Sequence, residues 1–438
     1  MKYLTLRKEY FGGILHDART MSCELLNQEE FNWLAYLIKE GKKFFEKEKE
    51  TLKVNERFKA KLKAFGKDFP SKVRVITPPK IPDGCLSAPL RVYDHYTLNC
   101  NLSCKHCGVE KNFLRKRRTI EETKIIMKKF YEAGTMEWRF TGGEPTICPD
   151  LVEAIKIAKS FGMAVMLTTN GCVGKEKLLE ILNSGLDEII FSLEGNKEIH
   201  DKRRGHGTFE KLIEALEIVR KYNEEEKKQN VKVTINTTVA KDNVNEAEHV
   251  VRLGAKYGYN VNFTPLRPYG QAISWLGNAM LSPEEFLEFS RKVEDLREDP
   301  EVKTSGIKVI HANMDLFSSK YQDKSKMPYP FNFSECTALS TAVGLCPDGR
   351  VNICSFLMKE EFLGPNLLEV SVYEAWLHPK TDRFRRIVKT GCIDCKYYMR
   401  QCKGKCRAMV FASGGGIKDS KLVGEDPYCF AHLMRKET

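Results

Sequence analysis
The chain has 438 residues, enough for two or three domains with cores of their own, and a formal charge of +12 from 71 Lys and Arg against 59 Asp and Glu. No run approaches the ~18 apolar residues of a membrane span, and the start, Met1-Lys-Tyr-Leu-Thr-Leu-Arg-Lys-Glu9, lacks the apolar stretch of a secretory signal. Fifteen cysteines without such a signal argue against a disulfide framework and for metal ligation in a reducing compartment, so a cytoplasmic location is expected.

Lys2–Leu6, Phe11–Leu15 and Met21–Leu25 read as short strands, with a turn at His16-Asp-Ala-Arg-Thr20 between the last two. A helix opens at Leu26-Asn-Gln-Glu-Glu30 and runs through Phe31, Leu34, Leu37 and Ile38, apolar at helical spacing. Residues 1–75 are taken as one small α+β module and 76–88, with Thr77-Pro-Pro-Lys-Ile-Pro82, as a linker. From 89 to 300 short β-rich runs alternate with amphipathic helices. Strands are expected near 90–96, 136–141, 163–169, 187–193, 231–239 and 260–266. Helices are expected near 119–133, 150–160, 175–183, 207–222, 243–257 and 283–297. Thr119-Ile-Glu-Glu122 is a capping box, and Ser282-Pro-Glu-Glu285 adds a proline at the first helical position. Repeated β–α units with crossovers imply a parallel sheet.

After the first of these strands stand Cys100, Cys104 and Cys107, spaced C-x3-C-x2-C, with no fourth cysteine close behind. Three thiolates on one loop can ligate three irons of a [4Fe–4S] cube and leave the fourth open to a small molecule that is chelated and reduced. A zinc knuckle is the plainer alternative, but zinc favours C-x2-C or C-x4-C pairs and needs four ligands. One helix later comes Trp138-Arg-Phe-Thr-Gly-Gly-Glu-Pro145. Gly142 and Gly143 let the backbone pass close to a ligand, and Glu144 offers an acceptor for an ammonium. Leu167-Thr-Thr-Asn-Gly171 and Ile189-Ile-Phe-Ser-Leu-Glu-Gly195 close the next two strands, and His200-Asp-Lys-Arg-Arg-Gly205 follows. Asn170 is also an ordinary turn residue, and Arg203 or Arg204 an ordinary solvated helix-start charge.

Residues 301–335 form a bridge to a cysteine-rich region, 336–438. Cys336-x12-Gly349-x4-Cys354 is followed by Cys392-x2-Cys395-x6-Cys402-x3-Cys406 and by Cys429. Cys346 is an additional thiol near the first set. Cys23, Cys85, Cys148 and Cys172 read as ordinary core or loop residues.

The three-cysteine loop, the Gly-Gly-Glu strand end and the strand ends after it resemble the radical S-adenosylmethionine (SAM) superfamily. The C-terminal spacing resembles the SPASM auxiliary-cluster domain, with six residues instead of the usual five between Cys395 and Cys402. Gly270-Gln-Ala272 matches the end of the barrel in SPASM enzymes. The implied fold is α/β: a partial (β/α)6 barrel, a small N-terminal winged-helix-like module and a C-terminal iron–sulfur domain. The resemblance implies a [4Fe–4S] cluster on Cys100, Cys104 and Cys107 whose open iron binds SAM, with His106 against the adenine. It places Gly142, Gly143, Glu144, Asn170, Ser192 and Arg204 around SAM. One auxiliary [4Fe–4S] cluster falls to Cys336, Cys354 and Cys406, with Cys346 as a fourth ligand or as filler of an apolar slot. The other falls to Cys392, Cys395, Cys402 and Cys429. Eleven thiolate charges against six positive ones would take the formal +12 to about +7, so the charge is not read as a nucleic-acid footprint.

The front module resembles the peptide-recognition element of peptide-modifying radical enzymes, which docks a leader peptide as an extra strand; a packing cap on the barrel is the plain alternative. Together these imply a maturase that cleaves SAM reductively to a 5′-deoxyadenosyl radical. Hydrogen abstraction from a ribosomally made peptide with a leader would then form a thioether or C–C crosslink. A low-potential donor such as ferredoxin or flavodoxin would supply the electron, and neither nucleic acid nor membrane is an expected partner. Ser355 stands where sulfatase-maturing relatives carry an Asp, which speaks against formylglycine formation. The alternative is maturation of a small redox cofactor, a tungsten–pterin or haem-like precursor.

Overall fold
A computed structural model describes residues 3–41, 72–82, 84–111, 113–114, 116–225, 230–267, 269–275, 279–311, 336–392, 394–395, 404–419 and 421–434. Strands β1 (Leu4–Glu9), β2 (Gly12–Asp17) and β3 (Ser22–Leu26) form an antiparallel meander. Helix α1 (Gln28–Lys39) begins at Asn27, whose side chain accepts from the Glu30 amide while Glu30 caps back. Its Phe31 and Leu34 pack on Leu4, Leu6, Leu15 and Leu26. At the boundary of the module and the expected linker, a strand not read from the sequence, β4 (Val73–Ile76), pairs in parallel with β1, so the sheet order is β3-β2-β1-β4.

The barrel follows as β5 (Arg91–Thr97), α2 (Ile120–Glu132), β6 (Glu137–Gly142), α3 (Leu151–Ser160), β7 (Ala164–Thr169), α4 (Lys175–Asn183) and β8 (Glu188–Ser192). Then come α5 (Lys197–Arg204), α6 (Thr208–Glu225), β9 (Lys232–Val239), α7 (Ala247–Tyr257), β10 (Asn260–Pro265), α8 (Pro283–Glu298), α9 (Pro300–Ser305) and β11 (Val309–His311). Neighbouring strands from β5 to β11 pair in parallel in chain order. Side chains alternate across each strand. Val92, Trp138, Phe140, Val165, Leu167, Ile189, Phe191, Ile235 and Phe263 join the core under the helices. Tyr93, His95, Arg139, Thr141, Thr168, Asn236, Asn262 and Thr264 line the lumen instead. A barrel filled by branched apolar residues is a packed core; here most inward strand positions carry polar side chains, with Ile190 among them, and they line a cavity.

The cysteine-rich region continues the same sheet. Strand β12 (Ala342–Leu345) pairs in parallel with β5, and β13 (Arg350–Asn352) and β14 (Leu363–Asn366) extend it antiparallel. A small sheet of β15 (Val388–Lys389), β16 (Gly416–Lys418) and β17 (Lys421–Val423) and helices α10 (Val372–Leu377), α11 (Pro379–Arg385), α12 (Arg407–Ala412) and α13 (Ala431–Met434) complete it. Buried Arg118 locks the junction, donating to Asp94 of β5 and to the Cys346 carbonyl.

The front module sits against the N-terminal ends of the barrel strands. Arg7, fully buried, donates to the carbonyls of Ala88 and Gly134, and Arg74 donates to the Thr135 carbonyl. Ser87, in the stretch expected to be a linker, bonds Glu9 of β1, and Leu86 accepts from the Trp376 indole. No helix among the described residues is long and apolar enough to cross a membrane.

Candidate active site
At the C-terminal end of β5 the chain enters the loop of Cys100, Cys104 and Cys107. Two neighbouring segments seat this loop by backbone contact. The Gly143 amide donates to the Thr97 carbonyl at 2.7 Å and the Glu144 amide to the Asn99 carbonyl at 2.8 Å. A Cβ on Gly143 would lie 2.0 Å from the Asn99 oxygen, so this glycine clears space for the loop itself and not for a ligand. On the other side Ala272 donates to the Cys107 carbonyl, and a Cβ on Gly270 would lie 2.7 Å from the Cys107 oxygen. The three thiols come close: burial raises the pKa of Cys100 and Cys104, Cys107 adds to the rise on both, and Cys100 adds to the rise on Cys104. Burial pushes Cys104 up to about 11 against the pull of Arg204, whose guanidinium is 3.9 Å from its sulfur. The Cys100 sulfur accepts from the Leu102 amide at 3.4 Å.

Glu144 is 1% exposed. Its Oε1 accepts from the Thr146 amide at 3.1 Å and from the Thr146 and Thr169 hydroxyls at 2.8 Å; Oε2 accepts from the Asn170 amide at 2.7 Å. Burial raises its pKa and these donors oppose the rise. The carboxylate therefore ties β6 to the end of β7, and capacity for an ammonium remains chiefly at Oε2. Asn170 acts as turn and brace, accepting from the Cys172 amide and donating to Asn101 in the cysteine loop. Ser192 ends β8 opposite Asn236.

The centre of charge is Glu194, which was quoted in the sequence only as part of a strand end. It is fully buried and accepts from Arg204 Nη2 at 2.6 Å and Arg203 Nη1 at 3.0 Å. His106 Nε2 lies 3.2 Å from the same carboxylate. Burial acts to raise its pKa, but His106, Arg204 and Arg203 outweigh burial and hold it well below the carboxylate range. The one signal in the sequence is an acidic residue closing an apolar run, Ile189 to Gly195. His106 faces this network; burial lowers its pKa, with Glu194 opposing and Arg204 and Arg203 adding to the fall.

Opposite the loop, the barrel lumen opens into a cavity of about 680 Å³ shared with the cysteine-rich region. Cys336, Cys354, Cys392, Cys395, Cys406 and Cys429 all line it. Burial raises the pKa of Cys354 to about 12, with Cys336 and Cys406 adding to the rise and Arg267 opposing it. Cys392 is raised by burial too, with Cys429 beside it and Lys389 and Lys405 opposing. Cys402 lies outside the described residues. Cys346 stands apart, fully buried where β12 ends, and the groups acting on its thiol are Asp348, Arg350, Arg118 and Asp94. Of its two expected parts, fourth cluster ligand or filler of the apolar slot ahead of Pro347, this placement outside the cavity lining accords with the second.

Among the described residues no three His, Cys, Asp or Glu side chains converge on a single-ion position. A four-iron cube does not ask for convergence on a point, since its thiolates surround a cluster several Å across. Clustered thiols with cationic side chains nearby are donors that fit such a group. Bound cationic iron would reverse the upward push that burial exerts on Cys100, Cys104, Cys354, Cys392 and Cys406.

An open parallel barrel whose first strand runs into a three-cysteine loop braced by Gly-Gly-Glu defines a class, and residues 95–254 match the Radical SAM superfamily. That stretch is a radical SAM domain; the chain has SPASM-type relatives and is a radical SAM enzyme, working with SAM and a [4Fe–4S] cluster. It is 26% identical over 376 residues to an AdoMet-dependent heme synthase of Oleidesulfovibrio alaskensis, spanning 82% of this chain and 91% of that protein. It is 26% identical over 351 residues to the mycofactocin maturase MftC of Mycolicibacterium smegmatis, spanning 78% of this chain and 83% of that one. The crystal structure of Streptococcus suis SuiB bound to precursor peptide SuiA superposes with a TM-score of 0.68 over 98% of each chain. At 16% identity that last likeness is one of fold, and it includes the N-terminal module.

Proposed function
We propose that this enzyme matures a ribosomally made peptide by hydrogen-atom abstraction, closing a thioether or carbon–carbon crosslink. The observation that carries the reading is the N-terminal sheet-and-helix module, fixed to the barrel by buried Arg7, Glu9 and Arg74. Its outer strand, β3, pairs only with β2 among the described residues, which is the kind of edge an extended peptide adds to. The SuiB fold, solved with a precursor peptide, extends over the same module.

In this reading Cys100, Cys104 and Cys107 hold the cluster that binds SAM, whose reductive cleavage supplies a 5′-deoxyadenosyl radical, with the electron coming from a ferredoxin or flavodoxin. Cys336, Cys354 and Cys406 would hold one auxiliary cluster, and Cys392, Cys395, Cys402 and Cys429 another. One hydrogen of the peptide goes to the deoxyadenosyl group, the second leaves as a proton, and an auxiliary cluster would accept the one electron released as the crosslink closes. Glu194 fixes Arg204 against Cys104 and turns His106 into the site. Glu144, Asn170 and Ser192 shape the wall against which SAM lies, and Gly142 and Gly143 let the cysteine loop seat behind it. The lumen keeps the reacting carbon away from bulk water, which limits quenching.

The second reading, a haem-like or tungsten–pterin precursor as substrate, is favoured by the heme synthase similarity over 91% of that protein. The two separate when the anaerobically reconstituted enzyme, SAM and dithionite are incubated with small host peptides or with a porphyrin. A peptide lighter by two hydrogens, formed only by a chain that retains residues 1–75, is the expected result. Turnover of the porphyrin with no peptide product overturns the proposal.

A further inference from the structure
Arg139 lies on the inward face of β6, in register with Tyr93 of β5. Its Nη2 meets the Met166 sulfur at 3.1 Å, a weak acceptor, and its Nε is buried without a partner. The Tyr93 ring centre is 5.2 Å from the guanidinium carbon. Among the described residues no carboxylate pairs with it. A guanidinium drawn into a barrel without an anion is costly, and such a charge is normally paired. One inward position nearer the cysteine loop is His95, in register with Thr141 and 3% exposed, with both ring nitrogens unpartnered. Burial pushes His95 down to about 4, so the ring is neutral at pH 7 and offers one donor and one acceptor. Asn262 donates to the Asn236 oxygen at 2.6 Å, which leaves the two N–H groups of Asn236 Nδ2 for a ligand.

We propose that the lumen below the cysteine loop binds a carboxylate of the substrate, clamped by Arg139, with neutral His95 and Asn236 bonding the groups around it. The proposal rests on the cavity being the substrate site of this radical enzyme. Planar guanidinium and carboxylate match two-to-two, which fixes the orientation of a substrate as well as holding it. The carboxylate can belong to a peptide, as an acidic side chain, or to a tetrapyrrole, as a propionate.

The full chain, anaerobically reconstituted and saturated with SAM, is titrated with N-acetylglutamate N-methylamide and with its glutamine counterpart by saturation-transfer NMR. A propionate-bearing porphyrin is titrated in parallel by absorption. The expected result is a preference of about tenfold for the glutamate probe over its amide, abolished in Arg139→Gln and partly kept in Arg139→Lys. Iron content and visible absorption of each variant show that it has folded. Arg139-dependent binding of the porphyrin, with none of the glutamate probe, upholds the carboxylate site while it sinks the peptide reading. Equal binding of acid and amide by the wild type overturns the carboxylate site and leaves the peptide reading to its own test. So does a preference that persists in Arg139→Gln, or a loss of SAM affinity in that variant, which would assign the guanidinium to SAM.

Discussion

At the scale of single residues, buried acids divide by what faces them. Glu144 meets neutral donors and its pKa rises with burial; Glu194 meets cations and its pKa falls well below the ordinary range. Glu137, where the front module meets the barrel, belongs with Glu194. Burial pushes it up, but Arg91 and His16 outweigh burial and hold it at about 2 against an ordinary 4.5. A carboxylate with a depressed pKa stabilises the fold above its unfolded pKa, and that contribution is lost as pH falls through the folded one. Glu137→Gln should therefore cost about 3 kcal/mol near neutral pH, and the gap to wild type should close between pH 4.5 and 2. Urea midpoints across that range, with Arg91→Gln as a companion, measure it. A gap that is constant with pH would refute the assignment. None of these environments was legible from the residues alone, because the partners of Glu194 come from the cysteine loop, α5 and β9.

At the scale of elements, local pattern carried most of the information. The barrel strands and their helices fall within a few residues of the runs read from alternation and helical spacing, and the boxes at Thr119 and Ser282 cap α2 and α8 as expected. Helix α5 escaped because it has no apolar stripe: its sequence is Lys-Glu-Ile-His-Asp-Lys-Arg-Arg, and its buried residues are His200 and Arg203. Strands β4 and β12 escaped because each is four residues long and gains its place by pairing with a distant strand. The crossing of the end of β6 over the start of the cysteine loop is the contact most sensitive to a single atom. Gly143→Ala places a Cβ 2.0 Å from the Asn99 oxygen, and backbone on both sides must move. The expected outcome is loss of iron from the loop and at least about a hundredfold slower SAM cleavage, since small displacements of reacting groups cost that much. Iron analysis and 5′-deoxyadenosine release check it, and a variant with normal iron and normal cleavage would show that the crossing does not set the loop.

At the scale of the whole molecule, one sheet runs from β11 through the barrel to β14, so the cysteine-rich region closes over the lumen as an extension of the barrel. Six cysteines of that region share the cavity with Arg139 and His95. A two-part deletion follows. Replacing Cys100, Cys104 and Cys107 together by Ala should remove about four of about twelve irons and abolish SAM cleavage. Replacing Cys392 and Cys395 should lower iron by a similar amount, keep SAM cleavage and abolish the crosslinked product. Release of 5′-deoxyadenosine by the triple variant under dithionite would place the initiating cluster elsewhere.

What the chain order by itself determined is whatever depends on neighbours in sequence: the strand and helix periods, the caps, and three thiols spaced to share one loop. These are short-range properties, since a period or a spacing of a few residues is set by backbone geometry before any tertiary contact forms. Tertiary structure alone decided which buried groups meet. It put Glu194 among Arg203, Arg204 and His106, turned Cys346 away from the other thiols, and aimed an unpaired Arg139 into a polar lumen. Burial and charge pairing are properties of the closed barrel, where strands distant in sequence face one another across a space that no local pattern describes.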